Sequence, residues 1–551
     1  MSKKEITLTL PALFNETLIR CGKSGAYAFT DEIPISFEES AKRIKAVSAL
    51  LESAGIKPGE KVAILSSNMP NWAISYFAIT FLGAVAVPIL PDFSANEILN
   101  VLEHSEAKAI FISSGLLYKI EDLRPVNLET AVHIEDFSLI FSVKDSLEFN
   151  PDAVSLSEYE VREEDIASII YTSGTTGRSK GVMLTHRNIC FNALKGKVIQ
   201  PIDENDRFLS VLPLSHTYEN TLGLIFPMLG GACVYYLRKP PTPPVLLPAL
   251  ELIRPTVMLT VPLIIEKVYF NKILPAFTDK FIINLLYRIP PVRKKLHKVA
   301  GRKLYSTFGG KLKFFGIGGA KLNKTVERFL LEAGFPYAIG YGITETAPLL
   351  AGANPRNTVF DSTGPAIEGV ELKIHNPDPK TGEGEIWARG PNVMKGYYKE
   401  PLMTEEVLTS DGWFRTGDLG VFDKNNNLYI KGRLKNMIVG ASGENIYPEE
   451  IESIINNFRG VVESLVIQQK GKLVALVHLN MEEIEKKYHL IKQDMAGRAE
   501  KLEEKRQEIL NELKHYVNSR VNKFSRINLV VFQPSPFQKT ATLKIKRFLY
   551  T

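Results

Sequence analysis

The chain has 551 residues, 45% hydrophobic and 23% charged, with 38 Gly and 32 Pro, a balance that fits a folded globular protein and excludes a disordered or fibrous one. Its length is several times the usual ~100–150 residues of a domain, so a large core plus a smaller domain is expected. A formal net charge of +6 gives no expectation of nucleic acid as a partner, and the scattered Cys21, Cys190 and Cys233 form no disulfide or metal framework and point to a reducing, cytoplasmic compartment.

The N-terminal MSKKEITLTLPALF begins basic, but Pro11 and Asn15 leave its apolar part short, so no signal peptide is expected. Ser40 to Ala54 reads as an amphipathic helix, Lys61 to Ser66 as a strand, Asn96 to Ser105 as a helix and Ala109 to Ile112 as a strand. Between them, Trp72 to Leu90 is about as long as the ~20 residues a bilayer crossing needs. Gly83 divides it into a helix-like half and the strand-like AVAVP, so a buried helix and strand are expected instead. A second cycle runs from Ala167 to Tyr171, through a helix starting near Thr185, to strands at Asp206 to Leu212 and Cys233 to Leu237. This alternation predicts parallel α/β layers.

After Gly364 the pattern changes to short strands with turn signals, at Val370 to His375, Gly384 to Gly390 and Asn427 to Ile430, which suggests an antiparallel or barrel-like subdomain ending near Arg433. Strand patterns at Ser464 to Gln468, Leu473 to Leu479 and Ile527 to Phe532 flank a charged helix over about Asp494 to Val521. The expected fold is therefore α/β: residues 1–434 form a large domain of α/β layers with a β-barrel-like subdomain, and 435–551 form a small α+β domain.

YTSGTTGRSKG at Tyr171 to Gly181 follows the apolar run IASII and precedes a predicted helix, a place where α/β folds bind ligands. Gly174 and Gly177 let backbone N–H groups turn inward as an anion nest. Thr172, Ser173, Thr175 and Thr176 add hydroxyl donors, and Lys180 adds a positive charge. The loop suits a polyphosphate. It is not a Walker A loop, because Ser179 precedes Lys180 and Gly181 follows it.

In this form the loop resembles that of the acyl-adenylate-forming superfamily, although Ser179 stands where the family usually has Pro; the forms of FGGKLKFFGIGGAKL and KTATLKIKR are most similar to its long-chain fatty acid members. GYGITETAP at Gly340 to Pro348 is similar to the family's adenine and metal motif: Tyr341 and Gly342 would border the adenine, Thr344 would donate to the α-phosphate, and Glu345 would offer a hard oxygen to Mg²⁺. Gly318, Gly319 and Ala320 resemble the adenine-side wall. Asp418, read as lying in a Gly-flanked turn of WFRTGDLG, is a natural bidentate acceptor for ribose hydroxyls. Arg433 resembles the residue on the ribose and phosphate side, and Lys435 the hinge between domains. Gly443, within Gly440 to Gly443, resembles the loop bordering the pantetheine tunnel. Lys544 aligns with the mobile catalytic lysine, though without the family such a basic tail would read as solvated surface.

The resemblance implies a two-step reaction. A carboxylic acid first attacks the α-phosphate of ATP with help from Lys180, Thr344, Mg²⁺ and Lys544, giving an acyl-adenylate and pyrophosphate. The small domain then rotates about Lys435, bringing the Gly443 loop in place of Lys544, and coenzyme A takes the acyl group. His216 in LPLSHTYEN resembles a residue of the acyl pocket. The stretch Lys267 to Lys313 holds twelve Lys or Arg against the single acid Asp279, interleaved with Phe281, Ile282, Leu285 and Leu286, so peripheral contact with anionic membrane is a further expectation. An aryl, medium-chain or amino acid substrate, a carrier protein as acceptor, and a non-catalytic acyl or nucleotide binder remain as alternatives.

Overall fold

The computed structural model describes residues 7–120, 127–144, 147–155, 159–173, 179–439, 445–469, 471–482, 484, 495–540 and 545–550. The chain divides into two compact units, one made of 1–373, 387–416 and 422–429, the other of 374–386, 417–421 and 430–551. The second unit thus begins a few residues before Lys435 and takes in pieces of an earlier sheet.

Two eight-stranded sheets build the first unit. One runs Gly396–Tyr397, Ser179–Thr185, Ile166–Ser173, Val85–Ile89, Lys61–Leu65, Ala107–Ile112, Thr130–His133 and Leu139–Ser142 in spatial order. The other runs Ala351–Gly352, Tyr337–Tyr341, Phe314–Ile317, Val257–Thr260, Arg207–Ser210, Cys233–Tyr236, Gly25–Phe29 and Ile35–Ser36. Most neighbours within both sheets are parallel, as the helix and strand rhythm predicts.

The apolar run Trp72 to Leu90 resolves into the helix Pro70–Phe81, started by Pro at its first turn, and the strand Val85–Ile89. Every side chain from Trp72 to Thr80 is buried. At roughly 1.5–3 kcal/mol for each large apolar side chain removed from water, this helix is a main contributor to the core. No helix among the described residues is long and apolar enough to cross a membrane.

The helix expected near Thr185 is His186–Ile199, with Thr185 as its cap. Before it lies a hairpin: Ile166–Ser173 pairs antiparallel with Ser179–Thr185, Thr172 opposite Lys180. Val182, Met183 and Leu184 are apolar and extend the pairing before Thr185 caps the helix. One local reading is corrected: Asp418 does not lie in a turn. It sits inside the nine-residue strand Phe414–Phe422, one of four in the sheet Glu371–His375, Gly384–Arg389, Phe414–Phe422, Leu428–Arg433. Gly417 supplies a positive φ of 69° within that strand, and its N–H donates to Glu385 Oε1 at 3.1 Å, which keeps the pairing despite the glycine.

In the second unit, Val461–Gln469 and Lys472–Leu479 form an antiparallel pair and Leu529–Phe532 joins the latter in parallel. Ile509, Leu510, Leu513 and Val517 of the helix Met495–Asn518 pack into one core with Ile451, Ile455, Val466 and Val477.

Candidate active site

Lys180 is held by strand register. The short strand Gly396–Tyr397 pairs antiparallel with Ser179–Thr185, placing Tyr397 opposite Val182 and so on the same face as Lys180, two residues earlier. The Lys180 ammonium lies 4.4 Å from the centre of the Tyr397 ring and donates to its hydroxyl at 3.3 Å. That hydroxyl donates onward to Glu345 Oε1 at 2.9 Å. Tyr397 therefore links Lys180 to the carboxylate of the TETAP segment. Its only sequence signal is an aromatic pair after Gly396.

The position of Tyr397 is itself fixed from below. Thr185 Oγ1 accepts from the Asn188 N–H while Asn188 Oδ1 accepts from the Thr185 N–H, a reciprocal cap at the start of the helix His186–Ile199. The Asn188 amide then donates to the carbonyls of Pro391 at 2.7 Å and Val393 at 2.9 Å. The chain that leads into Gly396–Tyr397 is pinned to that cap. Tyr171, at the other end of the hairpin, is buried and its hydroxyl lies 2.8 Å from His104 Nδ1. Gly181 is required beside it, since a Cβ there would come 2.8 Å from Ile169 Cγ2 and 3.1 Å from Tyr171 Cζ.

Tyr341 ends the strand Tyr337–Tyr341 and is mostly buried, and Thr344 to Thr346 form a single tight turn. Gly342 is indispensable to this turn: a Cβ would fall 1.7 Å from the Pro348 carbonyl oxygen. Two buried amides grip the turn from outside, Asn192 donating to the Thr346 carbonyl at 2.6 Å and Asn392 to the carbonyls of Thr346 and Leu349 at 3.1 and 2.7 Å. Neither asparagine carried a motif, so the sequence reading missed both.

Gly318 follows the strand Phe314–Ile317 and is buried, while Gly319 and Ala320 are exposed. Tyr218 lies against Gly316 through its hydroxyl and against Gly318 through its ring, so the SHTYEN segment meets the end of the strand Phe314–Ile317 directly. His216, partly buried, caps the short helix Thr217–Glu219, its Nδ1 accepting from the Tyr218 N–H at 3.2 Å. The next acid, Glu219, is fully buried and accepts from Ser210 Oγ at 2.6 Å. Burial pushes its carboxyl up to about 8, so it is protonated at neutral pH.

In the second unit, Asp418 is buried and paired with Arg433, whose Nε lies 2.8 Å from Oδ1. Lys435 lies in the tight turn Leu434–Asn436, and Asn436 donates to Glu449 Oε1 at 2.7 Å. Thr172 is a partly buried member of the hairpin strand, and Ser173 is its last residue. Gly174, Thr175, Thr176, Gly177, Gly443 and Lys544 lie outside the described residues.

Lys180, Glu345 and Tyr397 all lie within the stretch that matches one family. The AMP-binding enzyme model covers residues 20–398. This chain is an AMP-binding enzyme. It is 30% identical to the long-chain-fatty-acid–CoA ligase FadD15 of Mycobacterium bovis, over 82% of this chain and 78% of that one. It is 28% identical to the chloroplastic long-chain-fatty-acid–[acyl-carrier-protein] ligase AEE15 of Arabidopsis thaliana, over 82% and 73%. Its fold is that of o-succinylbenzoate CoA synthetase from Bacillus subtilis in complex with an acyl-adenylate, with a TM-score of 0.76, 23% identity and 98% of both chains covered. The α/β architecture is the family's, and the chemistry is that of adenylate-forming acid ligases.

Proposed function

We propose that this enzyme joins a long-chain fatty acid to coenzyme A through an acyl-adenylate. The observation that carries the reading is the Lys180–Tyr397–Glu345 connection, which holds a cation from the motif that suits phosphate in fixed relation to a carboxylate. Two anions, the carboxylate substrate and the polyphosphate, approach each other only where positive charge is already in place. Lys180 supplies part of it, and Tyr397 keeps its ammonium from collapsing onto Glu345.

The donor set also fits Mg²⁺. Glu345, fixed by the Tyr397 hydroxyl at 2.9 Å, would offer the ion the hard carboxylate oxygen that Mg²⁺ prefers. When bound, Mg²⁺ supplies charge that offsets the phosphate repulsion. Thr344 is assigned a hydrogen bond to the α-phosphate, Tyr341, Gly342, Gly319 and Ala320 the adenine, and Asp418 the ribose hydroxyls with Arg433 orienting it. Lys544 serves the first half-reaction, Gly443 borders the path of coenzyme A in the second, and Lys435 is the hinge between them.

For the acid, the buried run Leu222, Leu224, Ile225, Phe226, Met228 and Leu229 follows His216 directly and favours an apolar chain, as do the fatty-acid relatives. The AEE15 likeness keeps a carrier protein in view as acceptor. Pyrophosphate release measured across fatty, aryl and amino acids, with coenzyme A, with acyl-carrier protein and with neither, separates these readings. A long-chain preference with thioester formed only on coenzyme A supports the proposal. Release with no acid, or with aryl acids alone, would overturn the substrate assignment, and no release with any acid would leave a binding protein.

A further inference from the structure

The seven-residue helix Phe281–Tyr287 has no buried residue, although five of its seven side chains are apolar and a sixth is Tyr. At 100° per residue Phe281, Ile282, Leu285 and Leu286 fall within one side of it, and Ile289 follows on the same line. They are exposed by 84%, 72%, 57%, 42% and 47% respectively. The helix is nevertheless anchored on its other side. The Tyr287 ring stacks on buried Phe277 with centroids 5.0 Å apart, and its hydroxyl lies 2.8 Å from Nε2 of buried His297. Arg293, on the following helix Pro290–Thr307, is bound by Glu332 at 2.8 Å. An apolar stripe held outward by a fixed scaffold differs from the scattered apolar residues of ordinary surfaces.

On either side of the stripe in sequence, Lys272, Lys280, Arg288, Lys294, Lys295 and Lys298 are all exposed, and Asp279 is the one acid between Lys267 and Lys313. This charge opposes docking of a second copy through the same face, because the two basic fields would meet. It complements a surface that is anionic outside and apolar just beneath. We propose that the outward stripe of the helix Phe281–Tyr287, with the basic side chains that flank it in sequence, docks on anionic lipid bilayers. Phe281, Ile282, Leu285 and Leu286 enter the boundary between headgroups and acyl chains, and the lysines and arginines remain at headgroup level. This surface stands on its own observations and does not depend on which acid is activated.

The test is flotation of the full chain with phosphatidylcholine vesicles and with vesicles that also contain phosphatidylglycerol. Binding is expected only to the anionic vesicles at low salt, with release at high salt. The triple change Lys294→Ala, Lys295→Ala, Lys298→Ala lowers partitioning by up to about a hundredfold, at about fivefold for each charge. The pair Phe281→Ser, Ile282→Ser reduces it severalfold and makes the remaining binding more salt-sensitive. All the changed residues are exposed, so the thermal unfolding midpoint stays at the wild-type value and reports intact folding. No binding at low salt, equal binding to both vesicles, or wild-type binding by both variants would overturn the proposal. A concentration-dependent dimer abolished by Phe281→Ser, without vesicle binding, would also overturn it and assign the stripe to a second copy.

Discussion

Tyr397 makes two contacts through one oxygen, accepting from Lys180 and donating to Glu345. Tyr397→Phe keeps the ring and its cation–π contact but removes both hydrogen bonds. At ~1–3 kcal/mol for a broken charged hydrogen bond, acid-dependent pyrophosphate release should fall by about tenfold to a hundredfold with little change in thermal stability. Combined with Lys180→Ala, the loss should be smaller than the product of the single losses, because the two act as one unit. Additive losses would mean that Tyr397 works apart from the lysine. Glu219 makes a different prediction. In the native chain its carboxyl titrates near 8 and in the unfolded chain near the ordinary 4.5, so the unfolded state loses the proton first and stability falls as pH rises across that window. Glu219→Gln removes the titration and retains an acceptor for Ser210. Relative to wild type, the variant gains up to ~1.4 kcal/mol of stability per pH unit within the window and nothing more beyond either end. Urea unfolding at the two ends measures it, and a pH-independent difference would contradict it.

At the scale of elements, the cap of the helix His186–Ile199 governs a strand some two hundred residues later, through Asn188 and the carbonyls of Pro391 and Val393. Asn188→Ala removes the cap and both bonds, so a loss of about 2–3 kcal/mol is expected in chemical unfolding, together with weaker adenylation as Tyr397 loses its register. Stability loss without any effect on adenylation would disconnect cap from site. The elements that alternate apolar helix with apolar strand were legible from the sequence, because burial on both faces leaves continuous runs such as Val62 to Leu65 and Val85 to Ile89. The hairpin strand Ser179–Thr185 was not, since Gly181 and its polar neighbours hide a strand behind turn chemistry. Asp418 was misread for the same reason: Gly417 and Gly420 look like turn residues, and only the neighbouring strands stabilise the extended form. Glu345, Lys180 and Thr344 stand out in the sequence because they lie in dense local motifs. Tyr397, Asn192 and Asn392 act through long-range packing, which leaves no local pattern.

At the scale of the whole molecule, we propose that Lys180, Tyr397, Glu345, Asp418, Arg433 and Lys544 serve one reaction. Lys544→Ala should sharply impair formation of the acyl-adenylate while thioester formation from preformed acyl-adenylate stays near wild type. Equal loss in both half-reactions would remove Lys544 from its assigned role. The account also requires that activation be complete without the acceptor, since adenylation precedes any attack by a thiol. Its most direct test is exchange of labelled pyrophosphate into ATP with a long-chain fatty acid and no coenzyme A. The prediction is exchange that depends on the acid and is lost in Lys180→Ala; exchange that is absent in the wild type, or that proceeds without any acid, would contradict it.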